Sequence, residues 1–235
     1  LYAIGEIILV VIGILIALQI DTNNEIHKAR VKELHYLENI KDDLQLNIAN
    51  IDQFTTTRIS KIASAEKILE YYEGKPLTDL EDFNSHLLNV YIWKKFYPHN
   101  NTFVELTNSG NLASISNDAI KNYLLNIEAL YKELKGEEEH YRYDTEVLLY
   151  EPSFRILDLN PNTKKFIYNM SNGQAGEDVS LPRDRFELLL QDLKHKNGFV
   201  MAVYEFNVMN GQLEQMKKLS LELIELIDAE IQRET

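Results

Sequence analysis

The chain has 235 residues, with 37 acidic and 24 basic side chains and a formal net charge of −13. That balance excludes a broad nucleic-acid surface, which needs a basic footprint. The absence of cysteine excludes disulfides and thiol catalysis, and suits an extracytoplasmic bacterial protein. Five prolines and nine glycines are few for this length, so long helices are expected.

Residues 7–20 read IILVVIGILIALQI, with Glu6 directly before them. With LYAIG in front, about 20 residues rise roughly 30 Å as a helix, the thickness of a bilayer's hydrocarbon core. Roughly ten Ile, Leu and Val side chains, each worth about −0.3 to −0.6 kcal/mol on insertion, outweigh one acidic residue at about +3 kcal/mol. A cleaved signal is the competing reading, but Ala17-Leu18-Gln19 makes a poor cleavage site. A retained transmembrane helix over 1–20 is therefore expected. The first residue is Leu1, so the numbering is expected to start partway through a longer polypeptide. Gly5 and Gly13 lie on nearly one helix face, which suits close packing against another helix. Glu6 within the span is a candidate ion site or partner contact, with Gln19 on the same helix.

Residues 24–73 contain neither proline nor glycine. Leu34, Leu37, Leu44, Ile48, Ile51, Ile62, Ala65, Leu69 and Tyr72 recur at spacings of three and four, with Ile40, Ile59 and Ile68 widening the stripe. Lys41, Thr55 and Arg58 interrupt the same track. The pattern predicts one long amphipathic helix running on from the membrane segment, about 75 Å long over 24–73 if straight, and closed by Gly74-Lys75-Pro76. Thr78-x-x-Glu81 reads as a capping box for a shorter helix carrying Phe83, Leu87, Leu88 and Tyr91. A break follows at 96–101, then a helical turn over 102–108 and a tight turn at Ser109-Gly110-Asn111.

Ser116 or Asn117 caps the next long helix, whose stripe through Ile120, Leu124, Leu130 and Leu134 weakens at Gly136 and stops near Pro152. Residues 158–182 read as an irregular excursion, with a short strand at 166–168. Arg183 to His195 reads as helix, Asn197-Gly198 as a turn or kink, and Phe199 to Ile231 as a last long helix. The fold class expected is all-α, an N-terminal transmembrane helix (1–20) continuing into a long antiparallel helical bundle (21–235).

No chemical motif is strong. Glu137-x-x-His140 has the spacing of carboxylate-bridged di-iron bundles, but the nearest second copy is Asp192-x-x-His195, and a solvated acidic patch explains the residues as well. No zinc spacing, phosphate loop or nucleophile elbow occurs, so neither catalytic residues nor a cofactor is expected. Tyr91, Trp93, Phe96, Tyr97 and Phe103 gather around the break, either as an apolar end cap or as the lining of a ligand or partner pocket.

Two segments, YAIGEIILVVIGILIALQIDTNNE (2–25) and NTFVELTNSGNLASISNDAIKNYL (101–124), carry a resemblance. The chain resembles a family of uncharacterised single-pass membrane proteins from Bacteroidota-type Gram-negative bacteria, a domain of unknown function. The resemblance implies an inner-membrane protein with its helical domain in the periplasm. Lys28, Arg30 and Lys32 near the exit weigh against that orientation under the positive-inside rule. The function expected is structural: an accessory subunit or scaffold in contact with membrane lipid and protein partners, as a homo-oligomer or within a larger membrane complex. The alternatives are a homo-oligomeric pore or ion-coupled device using Glu6, and a periplasmic sensor or ligand-binding module.

Overall fold

A computed structural model describes residues 2–233, with side chains from Val10 to Arg233. Helix α1 runs unbroken over Tyr2–Tyr72, 71 residues. It ends where expected. Gly74 takes φ +107°, its N–H donates to the Tyr71 carbonyl, and the Lys75 N–H donates to the Glu70 carbonyl. These two bonds satisfy carbonyls that the last turn leaves open.

Among the described residues seven α-helices follow: α2 (Leu80–Tyr91), α3 (Asn101–Asn108), α4 (Asp118–Asp144), α5 (Glu151–Ile156), α6 (Leu159–Met170), α7 (Arg183–Leu189) and α8 (Leu193–Gln232). A short 3₁₀ turn (Asn111–Ser114) precedes α4, and a π-helical turn (Thr145–Tyr150) joins α4 to α5. Among the described residues the protein is all-α, a helical bundle with no strand.

Two compact units share the chain. The first comprises Leu1–Asn47, His99–Asn126 and Leu219–Thr235. Leu37, Ile40, Leu44, Leu106, Ile120, Leu124, Leu223 and Ile227 are buried there. Here α4 and α8 run antiparallel: Asn117 bonds Glu230 and Tyr123 bonds Glu222. The second comprises Ile48–Pro98 and Ile127–Lys218. Its core includes Ile51, Ala65, Ile68, Phe83, Leu134, Tyr141, Phe186, Phe199 and Phe206. In it α1 and α8 run antiparallel, with Asp52 beside Lys217 and Tyr72 beside His195.

The transmembrane helix expected over 1–20 gains no support here. Among the described residues, no helix is long and apolar enough to cross a membrane. The described part of the apolar run is Val10–Ile20, about 16 Å of rise, and polar Asp21, Asn23, Asn24 and Glu25 follow it.

Four local expectations are corrected. The cap of α2 is Asp79 rather than Thr78, its carboxylate accepting from the N–H groups of Glu81 and Asp82. Residues 159–170 form helix α6 rather than loop and strand. Asp158 caps it by accepting from the Asn160 N–H, and Pro161 falls in the first turn, where the missing N–H has no helical partner to lose. Ile59 is exposed, while Arg58, read as an interruption of the stripe, is buried. The helix expected over Arg183 to His195 breaks at residues 190–192, between α7 and α8, and α8 continues through Asn197-Gly198 without a turn.

Gly198 serves a close approach. A Cβ placed there would lie 2.4 Å from Leu149 Cδ2 and 2.8 Å from Leu149 Cγ. Leu149 sits in the π turn, which has its own cause. Pro152 supplies no N–H for the Leu148 carbonyl, and the Glu151 N–H reaches back five residues to the Glu146 carbonyl. We expect Gly198→Ala to lose about 1–3 kcal/mol through overpacking. Gly136→Ala, where a Cβ meets nothing within 4 Å, should instead gain about 0.5–1 kcal/mol. Urea denaturation of the two variants checks the opposite signs.

Candidate functional site

All of the chemistry worth weighing lies in the second unit. Its first feature is the Arg58–Glu138 ion pair, with both side chains only 2% exposed. Arg58 projects from α1 and Glu138 from α4, each from a position that the apolar stripe of its helix would otherwise fill. Glu138 also accepts from the Phe96 N–H at 2.8 Å, so the pair pins the non-helical segment after α2. Burial pushes the Glu138 carboxyl up and the Arg58 guanidinium down, and each partner opposes the other's shift. The Arg58 Nε and Nη1 groups find no acceptor. The Phe54 ring stands over the guanidinium instead, 5.7 Å from its central carbon.

Beside this pair is a cleft of about 360 Å³, lined by Phe54, Arg58, Lys61, Trp93, Lys94 and Phe206 among others. Two of its cations are turned inward. Arg58 faces Glu138, and Lys61 donates to the carbonyls of Asn89 and Ile92 at the end of α2. Burial lowers the Lys61 ammonium to about 8. The cleft therefore does not present these two charges to a ligand.

The aromatic residues expected to gather at the break do not form one cluster. Tyr91 is buried against His195, Trp93 packs edge-on against Tyr141, and Phe96 packs edge-on against Phe54. Tyr97 is 71% exposed, and Phe103 belongs to the first unit.

His195 is fully buried between two tyrosines. Its Nδ1 lies 2.5 Å from the Tyr72 hydroxyl and its Nε2 lies 2.5 Å from the Tyr91 hydroxyl. Tyr72 donates onward to the Leu189 carbonyl, and Ser153 bonds Tyr91. The tautomer that satisfies this chain has Nδ1–H donating to Tyr72 and Nε2 accepting from Tyr91. Ser153 Oγ is 3.3 Å from Nε2, but both residues are fully buried, so the pair meets no substrate as it stands. Asp192 is the helix cap of α8, accepting from the His195 N–H at 3.0 Å.

Glu137-x-x-His140 does not act as a pair. His140 Nδ1 instead lies 3.0 Å from Glu205 Oε1, and Asp144 joins them, with the three ligand atoms all within 4.8 Å of one another. His140 and Asp144 are four residues apart on one face of α4, and Glu205 comes from α8. The His140 side chain is 60% exposed and that of Glu205 only 3%. Burial, and next the Asp144 carboxylate, push Glu205 up to about 7, with His140 opposing. The missed signal was a glutamate inside the stripe of Ala202, Phe206 and Met209. It faces two potential ligands at helical spacing on α4.

Of the residues expected on the N-terminal helix, Gln19 donates to Asn23 at 3.0 Å. A Cβ at Gly13 would meet nothing within 4 Å. The surroundings of Gly5 and the side chain of Glu6 lie outside what is described.

The profile of a family of unknown function, DUF6090, matches residues 6–172, well over half of the chain. The chain belongs to this family. The DUF6090 match includes Arg58, Glu138, His140 and Asp144 and ends before α7 and before α8, which carries both His195 and Glu205. No curated protein and no solved structure matches the chain.

Two outcomes follow from the buried groups. Glu138→Leu strands the Arg58 charge and should cost about 3–5 kcal/mol, while adding Arg58→Met should recover most of that loss in urea melts. The second concerns pH. Burial lowers His195 to about 3, against about 6.5 in the unfolded chain. Between those values the unfolded state holds the extra proton, so His195 stabilises the fold above pH 6.5 and that contribution fades as pH falls toward 3. The difference in stability between the protein and His195→Gln, measured by urea melts from pH 7.5 to 4.5, should shrink or reverse as pH falls.

Proposed function

We propose that the protein is a membrane-anchored helical interaction protein, an accessory subunit or scaffold of an assembly at the bacterial inner membrane. The observation that carries this reading is the apolar stretch of α1. Eight large apolar side chains between Val10 and Ile20 are 47–64% exposed. At about 100° per residue they point around the whole helix. A helix apolar on every side belongs inside a protein or a bilayer, and no element among the described residues covers it. The described stretch reaches about halfway across a hydrocarbon core, and the sequence extends it through Leu9, Ile8 and Ile7.

Protein partners belong to the same reading. Gly13 leaves a bare notch on that helix, the shape that lets a second helix approach closely. The family resemblance favours the periplasm for the helical units.

The test is flotation of the full chain with vesicles of phosphatidylethanolamine and phosphatidylglycerol. The unaltered protein should float with the lipid. Ile12→Lys with Ile16→Lys places two charges on exposed positions, costs about 5–7 kcal/mol at mid-membrane and leaves the packed units untouched. That variant should stay at the bottom of the gradient with unchanged helix content. If the unaltered chain also stays at the bottom, the anchoring reading is wrong.

A further inference from the structure

We propose that His140, Asp144 and Glu205 form a binding site for a divalent transition-metal ion of the zinc or manganese type, bridging α4 and α8 within the second unit.

The argument rests on ligand chemistry, placement and an unpaired atom. One imidazole nitrogen and two carboxylates suit these ions. The His140 Nδ1–Glu205 Oε1 separation of 3.0 Å fits two ligands of a single ion. Ligands each about 2.1 Å from a tetrahedral metal stand about 3.4 Å apart, so a shift of a few tenths of an ångström admits the ion. Asp144 lies one turn beyond His140, and all three ligand atoms sit within 4.8 Å of one another.

Glu205 supplies the independent observation. The residue is only 2% exposed, and its Oε2 has no hydrogen-bond partner. A carboxylate oxygen closed off from water is costly unless something positive meets it. The Asp144 carboxylate lies within hydrogen-bond reach of Glu205 and raises it, so the two acids meet only by sharing a proton or a cation. A divalent cation balances the two carboxylates and gives the orphaned oxygen a partner.

His140 is on the solvent side, so the ion has an entry path. Three protein ligands leave coordination positions for water or for a donor from a partner, the pattern of an exchangeable site rather than a closed structural one.

The experiment uses the full chain in detergent micelles, stripped with a chelator, and zinc chloride alone as the probe, followed by calorimetry and metal analysis. One zinc per chain should bind saturably. Glu205→Gln, Asp144→Asn and His140→Ala should each weaken binding by at least about tenfold. Glu137→Gln, which alters only the sequence-adjacent acid, should bind as the unaltered protein does. Glu205→Gln keeps the side chain's shape, and circular dichroism of the stripped variants shows whether each is folded. His140→Ala, at an exposed position, gives a second reading if a carboxylate variant misfolds. Cobalt added in place of zinc should give a d–d absorption band that is lost in the three variants. No saturable binding overturns the proposal, as does binding that all three variants retain.

Discussion

Each helix leaves four N–H groups and four carbonyls without helical partners, and a chain of short helices multiplies that debt. Here much of it is met by side chains from a single element, α1. In the first unit, Glu33 accepts from the Ser116 N–H and hydroxyl just ahead of α4. Asp43 accepts from the Thr102 N–H in the first turn of α3, whose own Asn100 makes no cap bond. Asn47 holds His99 by both its N–H and its carbonyl. In the second unit, Lys61 meets the open carbonyls of α2 and Tyr72 meets Leu189 at the end of α7. Because α1 has no break, these anchor residues are carried by one hydrogen-bonded ladder.

The same logic accounts for Arg58, one of the polar residues that interrupt the amphipathic stripe of α1. Arg58 looks like an error in the pattern when the helix is read alone. It becomes intelligible once Glu138 occupies the facing position on α4 and passes its remaining acceptor capacity to Phe96. A buried ion pair is weak evidence for stability, because desolvation cancels much of the attraction. Its effect here is to fix where the segment after α2 lies and to form one wall of the cleft.

The helices set by local pattern were legible in the sequence. The course of α1 and its end at Gly74 follow from periodicity and an absence of breakers, and the buried face of α8 follows from its apolar spacing. What escaped depended on partners distant in sequence or on turn residues with two uses. Asn160-Pro161-Asn162 reads as loop, yet after Asp158 it starts a helix. Asn197-Gly198 reads as a turn, yet Gly198 is small because Leu149 presses on it. The candidate site was half visible. His140 stood out, but its spacing suggested Glu137, whereas the fold brings Asp144 and Glu205. The aromatic cluster dispersed because proximity along a broken segment is not proximity in space. The match bears out membership of a family of unknown function, and it brings no activity with it.

The functional reading divides α1 by surface. One end offers apolar side chains that nothing among the described residues covers, and much of the remainder holds other segments in place. A metal site on α4 and α8 would add a second clamp that does not involve α1. The central structural claim is that α1 anchors segments which no helix ladder protects, and native-state hydrogen exchange of the His99, Thr102 and Ser116 amides tests it most directly. All three should exchange slowly, at rates close to those of core helix amides. Exchange at the rate of open loop amides would contradict the account.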